Sequence, residues 1–132
     1  MSRKIGFSSA VIIFAVLGSI GFTASPALAV KEFKDAFQAK YINPESTAAN
    51  DVALASAFTK ASCGVCHVGE NKKIRNDYGK QLAKLVSKKD KKDATKIQEA
   101  LDAVAKLKSK PSDPASPTFG EKIAGGKLPA SK

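Results

Sequence analysis

The sequence predicts an all-α domain of about four to five helices, built by residues 30–132. Three observations carry this. Apolar side chains recur three and four positions apart in several stretches, the spacing of one helical face. No stretch shows the alternation of a half-buried strand. Prolines, glycines and Asp/Asn residues fall between the stripes, where helices start and stop. No internal repeat is present. The length of 132 residues allows one small domain.

Residues 1–29 read as an address and not as part of the fold. Arg3 and Lys4 give a positive start, and no charge follows from Ile5 to Val30. The apolar centre runs from Ala10 to Leu17. Pro26 and then Ala27-Leu28-Ala29 end the stretch with small residues suited to signal peptidase. This pattern predicts a cleavable secretory signal peptide and an exported, periplasmic protein. The alternative is an uncleaved membrane anchor, although Gly18, Gly21 and Pro26 interrupt the span. Removing 29 of the 132 residues leaves 103. Losing Arg3 and Lys4 lowers the formal net charge from +10 to +8, and losing Met1 removes the only methionine.

Phe33, Phe37 and Tyr41 share one face and predict a helix over 31–41. Asn43 is a good cap and Pro44 a good first helical residue, so a second helix is expected over 45–62, with Asp51 as the alternative start. Leu54, Phe58 and Ala61 form its stripe. Residues 64–71 read as loop. Ile74, Tyr78, Leu82 and Leu85 make an i, i+4, i+8, i+11 stripe for a third helix over 74–88, weakened a little by Gly79. Asp90 as N-cap, with Asp93 three residues on, opens a fourth helix ending near Ser109, with Ile97, Leu101 and Val104 on its inner face. Pro111, Pro114 and Pro117 mark a turn region. Ser116-Pro117 is placed to cap a last short helix through Ala124, stopped by Gly125-Gly126.

One motif carries chemistry. Cys63-Gly64-Val65-Cys66-His67 reads C-x-x-C-H, the attachment signature of c-type haem. Two thiols at this spacing reach the two vinyl groups on one porphyrin edge, and the next imidazole lies under the iron as proximal ligand. Three other readings are open. A structural zinc site would need a fourth ligand beyond the only two cysteines and the only histidine. A thioredoxin-like C-x-x-C would follow a strand. A disulfide between Cys63 and Cys66 would leave His67 without a role.

With this motif, the helix before it and the helices after it, the chain resembles the small monohaem cytochromes c. The resemblance implies an all-α fold with terminal helices near the edge of one covalently attached haem c. Cys63 and Cys66 would be the thioether residues and His67 the proximal iron ligand. It also implies an electron carrier and not an enzyme. The position of the motif, with 65 residues after His67, argues against the four-helix-bundle type. Apolar content is thin for this length, and a covalent haem would supply the missing mass. The apoprotein is therefore expected to be poorly folded.

The departure from the family concerns the sixth iron ligand. The usual electron-carrying members place a methionine there, which raises the potential. After cleavage this chain has no methionine and no second histidine. The remaining candidates are an open or water-bound iron, Lys72 or Lys73 with a lowered pKa, or Tyr78 as phenolate. Asn71 and the new amine of Val30 are weaker donors. Arg75, the one arginine after cleavage, is a candidate partner for a haem propionate. Phe119, Ile123 and Leu128 are candidates to cover a haem face.

The basic charge is carried by lysines, in runs such as Lys88-Lys89 and Lys91-Lys92. Such a surface steers an acidic redox partner, with an anionic membrane surface as a secondary target. No nucleic-acid recognition motif is present, and nucleic acid is not expected as a partner. The leading expectation is an exported carrier of single electrons. The alternative is a gas-binding or sensing haem protein with an open sixth position.

Overall fold

The computed structural model describes residues 30–131. The expected signal at 1–29 lies outside the described residues, and among them no helix is long and apolar enough to cross a membrane. The chain is mainly helical, with one small antiparallel hairpin. In order it runs α1 (Lys31–Tyr41), α2 (Ala49–Ala61), a 3-10 turn (Ser62–Val65), β1 (His67–Val68), β2 (Asn71–Arg75) and α3 (Asp77–Leu85). A second 3-10 turn (Lys88–Asp90), α4 (Ala94–Ala105) and α5 (Phe119–Ala124) follow.

The hairpin corrects the expectation of a purely helical chain. Residues expected as loop, and Ile74 expected in a helix, instead form β1 and β2, paired His67 with Arg75 and Val68 with Asn71. Gly69, at φ 56, makes the tight turn between them. The strands escaped the sequence reading because they are short and nearly all exposed, so no burial alternation is imposed on them. Ile74 is 52% exposed.

Local side chains set the helix starts. Asn43 does not cap α2. Its Oδ1 accepts from the Glu45 N–H, closing an Asx turn through Pro44. The Ser46 hydroxyl accepts from the Ala48 N–H and donates to Asp51, and α2 opens only at Ala49. Asn76 caps α3, accepting from the Gly79 N–H at 2.9 Å, so that helix starts three residues later than its stripe suggests. Asp93, and not Asp90, caps α4. Asp90 instead accepts from the Ser87 N–H and hydroxyl in a capping box one turn earlier. Thr118, and not Ser116, caps α5, in a capping box with Glu121. Ser116 is buried and ties the proline-rich loop to Lys110 and Asp113. Helix α4 stops at Ala105 because the chain turns there to meet α5, with Leu107 accepting from the Phe119 N–H.

The core gathers around α4, which packs against α1, α3 and α5. Its centre is an aromatic chain. Phe37 stacks on Phe58 with centroids 5.9 Å apart, Tyr78 meets Phe37 edge-on, and Phe119 meets Tyr78 edge-on at 5.3 Å. Leu101 and Val104 of α4 are fully enclosed beside them. Leu85, 43% exposed, falls outside the expected α3 stripe, and Val86 takes its place in the core. At the far end Gly126, at φ 77, lies so close to the Asn50 backbone that a Cβ would come within 2.7 Å of its carbonyl oxygen.

Ser62 ends α2 at φ 48 and ψ −108 and turns the chain into Cys63. It is the one non-glycine at positive φ among the described residues. Such strain costs about 1–3 kcal/mol, while glycine's extra unfolded-state freedom costs about 0.4–1 kcal/mol. Ser62→Gly is therefore expected to stabilise the protein by about 1 kcal/mol, raising Tm by about 4–8 °C in a thermal melt. An unchanged or lower Tm would refute it.

Candidate functional site

Helix α2 delivers the chain into the 3-10 turn that carries Cys63, and Cys66 and His67 follow as the hairpin begins. All three line one cavity of about 900 Å³, within the size range of cofactor sites. Its apolar walls come from Phe33 of α1, from Val65, and from Leu82, Ala83 and Val86 in and after α3. Lys31, Lys34, Lys72 and Arg75 add positive charge to the lining, as do Lys88, Lys89 and Lys91. Among the described residues no carboxylate lines the cavity. An anionic occupant with an apolar body suits this lining.

Both thiols are free. Burial pushes the Cys66 thiol up to about 12, the neighbouring Cys63 adds to this, and Arg75 offsets a little. His67 is buried, and its Nδ1 has no hydrogen-bond partner. Burial lowers its pKa, the Ile74 backbone opposes that, and Arg75 and Lys72 lower it further. The neutral imidazole, the form that binds metal, is favoured.

The loop is held from one residue. The Asn76 side-chain amide donates to the carbonyls of Gly64 (3.0 Å), Val65 (3.0 Å) and His67 (3.2 Å). The Asn76 backbone N–H donates to the Cys66 carbonyl at 3.0 Å. Four successive carbonyls of the motif thus converge on Asn76. Gly79 lets α3 come this close, since a Cβ there would lie 2.0 Å from the Cys66 carbonyl oxygen. The sequence reading missed Asn76 and took Gly79 only as a weak point of the helix. The available signal was an N-cap residue type at Asn76, followed by acidic Asp77, just ahead of the Tyr78/Leu82 stripe.

Lys72 and Arg75 line the cavity, whereas Lys73 and Tyr78 do not. Tyr78 points into the aromatic core, fully enclosed, with no partner for its hydroxyl. Burial raises its pKa strongly, which opposes a phenolate. Asn71 does not line the cavity, and its Oδ1 accepts from the Lys73 N–H. Val30 does line the cavity. Phe119 and Ile123 are core residues, and neither they nor Leu128 reach the cavity lining.

The geometry also bears on the other readings of the motif. Among the described residues no three His, Cys, Asp or Glu side chains converge as a metal-binding group. No strand leads into Cys63, as a thioredoxin-like motif requires; α2 does. No protein family, curated protein or solved structure matches the chain.

Proposed function

We propose that this chain is an exported monohaem c-type cytochrome that carries single electrons between redox proteins outside the cytoplasmic membrane. The observation that carries the reading is the placement of Cys63, Cys66 and His67 on one largely apolar cavity lined by cationic and no anionic side chains. The residues fit the group. Cys63 and Cys66 would hold the haem as thioethers, and neutral His67, with Nδ1 not committed elsewhere, would take the iron. An iron already carried by a porphyrin asks for only one or two protein ligands, which suits a site with one histidine.

Bound there, haem supplies a one-electron iron couple. The chain's own residues do the rest. Phe33, Leu82 and Val86, on the cavity lining, would give the bound group apolar surface and exclude water from it. Arg75 and the lining lysines offset propionate charge, and the remaining lysines attract an acidic partner surface. Anionic membrane is a secondary surface for the same charge.

A gas-binding role is the second reading. It is favoured by the lining, in which no methionine and no histidine besides His67 stands. Lys31, Lys34, Lys72, Lys88, Lys89 and Lys91 stand on the cavity lining, as does Val30, which the expected cleavage would leave with a free α-amine.

The test is the visible spectrum of the holoprotein, oxidised and reduced, with and without carbon monoxide. The carrier reading expects a low-spin spectrum indifferent to carbon monoxide and a potential below that of His/Met cytochromes c. A high-spin spectrum that shifts at once moves the gas-binding reading ahead. No haem from a strain able to attach it overturns both.

A further inference from the structure

We propose that Asn76 is the positioning residue of the attachment loop, gathering its backbone so that both thiols and His67 address one haem. The inference rests on the haem reading of this site. Its basis is geometric. A C-x-x-C-H turn must present two sulfurs and one imidazole to a single flat group, so the backbone between them must hold one shape. That backbone has few other ties: the Cys66 N–H to the Cys63 carbonyl, and the pairing of His67 with Arg75 in the hairpin. Asn76 adds contacts to four successive carbonyls, with Nδ2 shared among those of Gly64, Val65 and His67 and its backbone N–H on that of Cys66.

The same side chain also couples the loop to the fold. Its Oδ1 accepts from the Gly79 N–H and starts α3, and α3 supplies Leu82 and Ala83 to the cavity lining. One amide therefore fixes the motif loop with its donors and a cavity helix with its acceptor. Asparagine is the residue with both ends at this reach. Aspartate has the acceptor without the donors.

Thioether formation makes the role measurable. Each thiol adds across a vinyl C=C, sulfur bonding one carbon and hydrogen the other, with no oxidant consumed. The Asn76 contacts are local, 9 to 12 residues apart along the chain, so they act on the loop before the rest of the core is complete. A loop that wanders misses one of the two additions. Asn76→Asp keeps the Oδ1 cap, removes the donors and sets a carboxylate oxygen against three carbonyls. Asn76→Ser keeps a short capping oxygen without the donors or the charge, and stands in should N76D not fold.

Wild type, N76D and N76S are made in a strain that attaches haem. Purified chains are scored by mass for haem content, by haemochrome spectrum for one or two thioethers, and by circular dichroism for helix. The expected result is wild type doubly linked, and variants with wild-type helix whose doubly linked fraction falls about tenfold, in line with the usual effect of residues that orient metal ligands. Variants whose haem is doubly linked as in wild type overturn the proposal and leave the haem reading standing. So does holoprotein lost only in proportion to lost helix, with the remainder doubly linked, because that is a merely structural effect. Wild type without haem overturns the haem reading and this inference together.

Discussion

Gly79→Ala is expected to be among the most damaging single-methyl changes in this protein. On an exposed helix surface the exchange would stabilise by about 1 kcal/mol, because alanine is the better helix former. At this position the new Cβ would stand 2.0 Å from the Cys66 carbonyl oxygen, 2.9 Å from the carbonyl carbon and 3.2 Å from Cα. These are backbone atoms of the turn that carries the C-x-x-C-H motif, and they cannot rotate away as a side chain would. Either α3 retreats from the turn or the turn gives way. Forced overpacking costs about 1–3 kcal/mol and occasionally more, so the clash outweighs the propensity gain. Retreat of α3 also stretches the Asn76 cap, since the Gly79 N–H is its donor. A net loss of about 2 kcal/mol is expected, lowering Tm by about 8–16 °C. A matched Gly120→Ala variant gives the comparison. Its Cβ would lie 3.0 Å from the Ala105 carbonyl oxygen, a milder contact far from the motif in sequence. If Gly79→Ala melts at or above the wild-type temperature, the packing of α3 on the turn is not as described.

The sequence was most legible where one physical cause dominated. The α1 face through Phe33, Phe37 and Tyr41, and the α4 face through Ile97, Leu101 and Val104, were readable because helical period and burial coincide there. The motif was readable because its spacing is chemical. The hairpin was not, since strands this short and exposed leave no periodic trace, and Ile74 happened to stand four before Tyr78. That coincidence hid the start of α3 and with it the cap at Asn76. Tyr78 illustrates the converse. As a haem-ligand candidate it rested on the chemistry of its phenolate, but the same stripe that made it helical committed its ring to Phe37 and Phe119. The positive lining was only half visible. Lys88, Lys89 and Lys91 read as a charge run, but a loop's charge run says nothing of which cavity it borders until the fold brings it beside Lys31 and Lys34 of α1.

On the haem reading, replacing both motif cysteines, Cys63→Ala with Cys66→Ala, is expected to leave a poorly folded chain. The cavity, about 900 Å³, is open to solvent on one side. A chain unable to attach haem therefore floods it or collapses its walls. Those walls are not separate from the core, because Val65, Leu82 and Val86 belong both to the cavity lining and to the buried cluster around Tyr78 and Leu101. Flooding wets their outer faces, and collapse pulls α3 off the aromatic chain. The seven cationic side chains around the cavity would at the same time lose the propionates that offset them. The measurement is helical circular dichroism with temperature, for the double variant beside the holoprotein. Partial helix with a broad transition or none is the expected result. A sharp melt within a few degrees of the holoprotein's would mean that α1, α3, α4 and α5 hold the core alone, with haem a guest and not a structural member.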